Sequence, residues 1–193
     1  MRAMLRAVRW LSLLLGLAVC GSGALARATL VVPLDLPRLA EAAECIELGR
    51  VERQAARRTP DGRMIVTQVT IRIEQPLKGK LRAGERVEVF REGGEIGSVG
   101  ARVEGAARFS EGEEVLVFLE RRGTSAWWTV GMAQGKMRVE TIGGRRVAIR
   151  DLGGLTFVGP TGGKAPAAGG AVMPLDEVLQ IIARATRGAP AGP

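Results

Sequence analysis

The chain has 193 residues, 46% of them hydrophobic and 25% charged. That composition supports one folded domain with a real core and excludes wholesale disorder. It contains no histidine and no tyrosine, which removes Ser-His-Asp and Cys-His nucleophile activation and imidazole zinc sites, and leaves any acid–base chemistry to carboxylates or lysine.

The first 26 residues read as a secretory signal peptide. Arg2, Arg6 and Arg9 form a basic start with no acidic residue, and Trp10 to Val19 is an apolar run too short to cross a membrane. Ala24-Leu25-Ala26 is a small-x-small cleavage site, placing the cut after Ala26, with Ala26-Arg27-Ala28 as a second option. Leu17-Ala18-Val19-Cys20 is close to a lipobox, although Val19 stands where a small residue is wanted. Lipidation of Cys20 would anchor the protein to a membrane; cleavage after Ala26 releases it into the periplasm or outside the cell. Cys45 is then the one cysteine left, so no internal disulfide can form. A small apolar residue entering a strand is the favoured reading of Cys45, over a reactive thiol. The formal net charge is +8, of which Arg2, Arg6 and Arg9 supply three, so the mature chain keeps +5. Such a basic surface assists association with anionic envelope components without specifying one.

Ala28 to Pro33 is an extended lead-in. Asp35 caps a short helix through Ala43, with Pro37 in its first turn. A first strand follows over Cys45–Val51, slipping at Gly49 in the manner of a bulge. Thr59-Pro60-Asp61-Gly62 is a turn: proline presets φ, aspartate bonds the backbone and glycine takes the left-handed position. It closes a hairpin onto Met64–Glu74. There Ile65, Thr67, Val69, Ile71 and Ile73 alternate with Val66, Gln68, Thr70, Arg72 and Glu74, the pattern of a half-buried strand that Pro76 should end. Glu85–Arg91 is the third strand, with Val87 and Val89 inside. Gly93–Gly105 is an irregular glycine-rich loop. Glu114–Glu120 is a fourth strand with an apolar centre, buried on both faces. After a turn at Arg121–Ser125, Trp127–Met132 is the fifth strand, continued by Lys136–Thr141. Gly143-Gly144 leads into the sixth, Arg145–Arg150, with Val147 and Ile149 inside.

The expected organisation is therefore a signal peptide (1–26), a β-barrel-like domain (27–158), a Gly/Ala/Pro-rich linker (159–172), a C-terminal helix (173–188) and a disordered tail (189–193). Val178, Leu179, Ile181, Ile182 and Ala185 give that helix its apolar face. The fold class is mainly β: a small antiparallel, partly open, OB-like barrel of about six strands with one short N-terminal and one C-terminal helix.

Few residues carry chemistry. Glu111, Glu113 and Glu114 cluster at a glycine turn without an EF-hand pattern. Gly94 to Gly100 reads GxxGxxG and no helix follows, so phosphate cradling has little support. Gly162-Gly163-Lys164 lacks the first glycine and the Ser/Thr of a P-loop. The candidates for binding are three arginine pairs beside turns, Arg57-Arg58, Arg121-Arg122 and Arg145-Arg146, which could gather at one end of the barrel, and the pair Trp127-Trp128, one facing the core and the other a contact surface. Solubilising surface charge is the plainer reading of the arginines. Nucleic acid is not expected, since stacking aromatics are few and the chain is exported.

Gly49-Arg50-Val51, Thr67-x-Val69-x-Ile71, Leu77-Lys78-Gly79, Gly93-Gly94-Glu95, Phe109-Ser110-Glu111-Gly112-Glu113, Val115-Leu116-Val117-Phe118-Leu119 and Gln134-Gly135-Lys136 together resemble a group of exported bacterial proteins of unknown function, over roughly residues 34 to 150. More remotely, "Leu-Gly-Arg-Val" entering a strand and "Leu-Lys-Gly" ending a long one resemble the netrin/TIMP-like module, an OB-type barrel of secreted proteins that includes metalloproteinase inhibitors. Those inhibitors act through an N-terminal cysteine held by disulfides. This chain has neither, so the resemblance implies the barrel and not the inhibition. The expected function is a non-catalytic binding or interaction module of the cell envelope, needing no cofactor and no metal and facing an unknown protein or an anionic envelope component. The alternatives are a lipid-anchored envelope structural component and a carboxylate-dependent hydrolase using acids or Lys136.

Overall fold

The computed structural model describes residues 29–123, 126–159, 162–166 and 170–187; the expected signal peptide, Cys20, the cut after Ala26 and the tail lie outside them. The described residues are mainly β, with thirteen strands and two α-helices. Strand β1 spans Thr29–Val31 and helix α1 Leu36–Ala42. Strands β2 (Cys45–Arg58), β3 (Ile65–Lys78) and β4 (Arg86–Glu92) follow, then the short β5 (Gly94–Ile96) and β6 (Val99–Ala101). Strand β7 is Glu114–Arg122, β8 is Ala126–Thr129, and a 3-10 turn over Met132–Gly135 leads into β9 (Lys136–Ile142) and β10 (Arg145–Arg150). Strands β11 (Leu155–Val158), β12 (Lys164–Pro166) and β13 (Ala171–Pro174) precede helix α2 (Leu175–Arg187).

The main sheet runs in the order β13-β10-β9-β7-β2-β3-β4-β8, and β8 pairs again with β7. Strands β7, β2, β3, β4 and β8 thus close into a ring, while β9, β10 and β13 extend from it as an open wing. Within the ring every pairing is antiparallel except β4 with β8, which run parallel over only two residue pairs. β8 and β9 lie along the same edge of β7, separated by the 3-10 turn.

Strand alternation divides the apolar residues into two cores. Val51, Val69, Ile71, Ile73, Val87, Val89, Val115, Val117 and Leu119 fill the ring. Ile46, Leu48, Leu116, Phe118, Met137 and Ala148 point the other way and pack under α1 and α2 through Leu39, Val178 and Ile182. β7 supplies both cores, which is why its centre is continuously apolar. Helix α1 starts at Asp35, whose carboxylate accepts the Arg38 N–H at 2.9 Å, with proline in the first turn.

Several sequence-based expectations change. Strand β2 runs on to Arg58 past register shifts at Leu48/Gly49 and Val51/Arg53, because the β3 ladder continues beyond the bulges. A Cβ on Gly49 would lie 2.4 Å from the Arg72 carbonyl oxygen, so the bulge requires glycine. Pro76 does not end β3: it sits opposite Glu47, where the register shifts, so its missing N–H falls at a break in the ladder. The glycine-rich loop holds the β5–β6 hairpin. Residues 159–172, read as a linker, contain β12 and the start of β13. In β10 it is Ala148 that is buried, whereas Val147 and Ile149 are half-buried. The strand count is larger than six, and the sheets are not purely antiparallel, since β1 pairs in parallel with β11. No helix among the described residues is long and apolar enough to cross a membrane.

Candidate functional site

Two of the three arginine pairs and both tryptophans meet at one end of the ring. Arg57 and Arg58 end β2, Arg121 and Arg122 end β7, and Trp127 and Trp128 form β8. On β4, alternation sends Val87 and Val89 into the ring and Phe90 outward. The parallel pairing sets Val89 beside Trp127 and Phe90 beside Trp128. Trp127 therefore packs against the ring core, and Trp128 shares the outer wall with Phe90. Both tryptophans are half-buried, so the expected division into one core and one exposed ring is softened, although their faces divide as expected.

The Phe90 and Trp128 rings lie 6.0 Å apart at 38°, within the range of favourable aromatic pairs. Guanidinium groups cover these rings. Arg57 stands 4.8 Å from the Phe90 centroid, Arg122 5.3 Å from that of Trp128, and Arg121 4.5 Å from that of Trp127. Beside them opens a groove of about 410 Å³, lined by Phe90, Trp128, Met64, Val66 and Pro60, with Arg57, Arg58 and Thr59 at its rim. Met64 is 50% exposed. The β2–β3 turn that presents Pro60 and Met64 is locked: the Arg63 N–H bonds Asp61 at 3.2 Å, Met64 N–H bonds the Thr59 hydroxyl at 3.0 Å, and Gly62 takes φ +71°. The Thr59 hydroxyl, and after it the Arg63 N–H, hold the Asp61 carboxyl below its ordinary value.

Charge is unevenly distributed around this groove. Arg122 is neutralised by Glu92 at 3.1 Å and Glu120 at 3.0 Å. Arg57 and Arg58 have no ion-pair partner among the described residues; Arg58 only donates to the Gly62 carbonyl at 3.4 Å. The third pair lies away from the site. Arg145 and Arg146 begin β10 on the open wing, where Arg146 pairs with Glu114.

A larger cleft of about 780 Å³ lies between the wing and residues 106–114. It holds Lys136, which is 8% exposed, ion-paired with Glu113 and 5.4 Å from the Phe109 centroid. Burial pushes the Lys136 ammonium below its ordinary value, and Glu113 works against that shift. The acids of this cleft are engaged: Glu114 with Arg146, Glu140 with Arg138 at 3.0 Å, Glu111 with the Gln54 N–H at 3.0 Å, and Asp151 with the Gly153 N–H at 2.9 Å. Among the described residues, the one carboxyl pushed upward is Glu47, sealed inside the ring.

Sequence reasoning does not single out Phe90, Met64 or Val66. For Phe90 a signal exists: an aromatic on the opposite parity from Val87 and Val89 must face outward. For Met64 and Val66 there is none, because their groove exists only once β8 closes against β4. Compared with protein-family models, curated proteins and solved structures, the chain matches none.

Proposed function

We propose that this chain is an exported, non-catalytic binding module of the cell envelope, built on an OB-type barrel, whose ligand face is the Phe90–Trp128 groove. The pairing order supports the barrel reading: one strand pairs with its hairpin partner and with the fourth ring strand, and the third and fifth ring strands run parallel. The kinship with the netrin/TIMP-like module belongs to this proposal and extends to the barrel alone.

The observation that carries the function is an apolar groove walled by two aromatic rings and rimmed by two unneutralised arginines. Tryptophan and arginine dominate binding energy where they meet in a pocket, and free arginines select an anionic partner. The partner is an acidic protein segment that seats an apolar side chain between Met64, Phe90 and Trp128. A groove of about 410 Å³ suits a side chain or two rather than a long polymer. The hydrolase alternative finds less support, because the acids of the larger cleft are each bonded. Export rests on the N-terminal sequence, and mass spectrometry of the mature N-terminus separates release (Arg27 or Thr29 onward) from an acylated Cys20.

The test is a pull-down from envelope extract with the mature protein and with Trp128→Ala and Arg58→Glu. A protein captured by the wild type and lost with both variants supports the proposal. Capture unchanged by both variants removes the groove from the function, and capture of lipid or polysaccharide instead replaces the partner class.

A further inference from the structure

β4 carries two unlike faces side by side. Phe90 looks out into the aromatic groove, and its neighbour Arg91 looks into the mouth of the ring, in line with Val87 and Val89. Gln54 on β2 stands opposite Val69, and Ala56 opposite Thr67, so these residues line the same mouth. A cavity of about 530 Å³ opens there, roofed by the β5–β6 hairpin and the segment running to Arg108. The mouth of a β-barrel is a common place for a small-molecule site.

The residues lining this cavity carry polar groups that do not satisfy one another. The Gln54 amide is oriented by its Nε2 donating to the Phe109 carbonyl at 3.1 Å, which leaves Oε1 as an acceptor; that oxygen is fully buried and receives no hydrogen bond. The Arg91 Nε–H is fully buried and has no acceptor, and Nη1 reaches only the Glu92 carbonyl at 3.4 Å. Neither Arg91 nor Arg108 has an ion-pair partner among the described residues. Arg102 is bridged to Glu104 at 2.8 Å, and the remaining acid on the lining, Glu95, is exposed on the hairpin. Burial, and after it the Arg108 charge, draw the Arg91 guanidinium below its ordinary value. A water molecule could bridge the buried donor and acceptor, but it leaves the half-buried Arg91 charge unpaired beside that of Arg108. An anion removes both defects only if it also brings a hydrogen to Gln54.

We propose that this cavity binds a hydrogen-phosphate group, an oxyanion that still carries one P–O–H, with Arg91 and Arg108 on its charged oxygens and its hydroxyl donating to Gln54 Oε1. Arginine forks match tetrahedral oxyanions in geometry as well as charge. The hydroxyl requirement distinguishes this site from a general anion patch: sulfate has the same shape but no proton to give at neutral pH. The group is free phosphate, which keeps a P–O–H at pH 7, whereas the head of a phosphomonoester is mostly the doubly ionised form without one. The site is independent of the aromatic groove, since the two lie on opposite faces of β4.

The experiment follows the Arg Nε–H signals of the mature protein by 15N NMR at pH 7 and constant ionic strength, titrating inorganic phosphate, sulfate and glycerol 3-phosphate in separate arms. The expected result is a saturable shift of the Arg91 signal, with phosphate tighter than sulfate by about tenfold, the worth of one good hydrogen bond. Arg108→Gln, at an exposed position, should weaken both ions by about tenfold or more. Gln54→Leu should erase the preference for phosphate over sulfate. Glycerol 3-phosphate, mostly the dianion without a P–O–H at pH 7, should bind no tighter than sulfate, and an ester that matches phosphate overturns the hydroxyl requirement. The proposal is overturned by the absence of saturation with phosphate, by equal binding of phosphate and sulfate to the wild type, or by binding that Arg108→Gln leaves intact. The residues lining the cavity and those lining the aromatic groove do not overlap, so the two sites can fail separately.

Discussion

Glu47 ties folding to pH although it is 0% exposed to solvent. Both carboxylate oxygens are buried inside the ring without a hydrogen-bond partner. Burial, helped by the Glu85 charge, pushes its carboxyl from the ordinary 4.5 up to about 8. The folded protein therefore holds a proton that the unfolded chain gives up. Its contribution to stability is complete below the unfolded value, about 4.5, and is lost as pH rises through the folded value, about 8. One such proton changes stability by up to about 1.4 kcal/mol per pH unit inside that window. Denaturant midpoints measured across it should fall with rising pH in the wild type and flatten in Glu47→Gln. Parallel slopes in the two proteins would mean that Glu47 is not neutral in the folded state. Cys45, at the same end of the ring, is 4% exposed, and burial raises its thiol as well, which fits a packed residue better than a reactive one.

At the scale of elements, β7 is the wall shared by the two cores. Phe118 is fully buried between the sheet and the helices. Phe118→Ala should cost about 3–5 kcal/mol, and chemical denaturation reads it directly. A loss below about 1 kcal/mol, typical of surface positions, would contradict the two-core arrangement. What the sequence makes legible follows the reach of each interaction. The Asp35 cap, the Pro60-Asp61-Gly62 turn, the Gly49 bulge and the alternation of β3 are set by near neighbours, and each appears where its residues place it. Pro76 misleads because its fate depends on the partner strand: opposite a register shift, a missing N–H costs little. β11, β12 and β13 are too short to announce themselves and exist through pairing with β1 and β10. The arginine and tryptophan pairs were visible as residue types. Which pairs would meet was not, because that depends on β8 reaching β4 across the chain.

For the whole molecule, a ring and an open wing share one strand edge, with two helices covering the back of both. The ring presents a groove on its outer wall and a cavity in its mouth, and the groove, walled by Phe90 of β4 and Trp128 of β8, depends on the ring staying closed. Closure rests on a narrow join: the parallel ladder between β4 and β8 is only two residue pairs long, Val89 with Trp127 and Phe90 with Trp128. Backbone hydrogen bonds in so short a ladder have little cooperative support, so this join should open at lower free energy than the β2–β3 hairpin. Native-state hydrogen exchange checks this, with the amides of β8 and Phe90 expected to exchange well before those of Val69 to Ile73. Equal protection along both would show that the ring opens as a unit.

The join also decides what a bound partner does. Phe90 and Trp128 stand on opposite sides of it, so anything gripping both rings is a clasp across the gap. Binding energy spent there returns as resistance to opening, by an amount that grows with the logarithm of partner concentration.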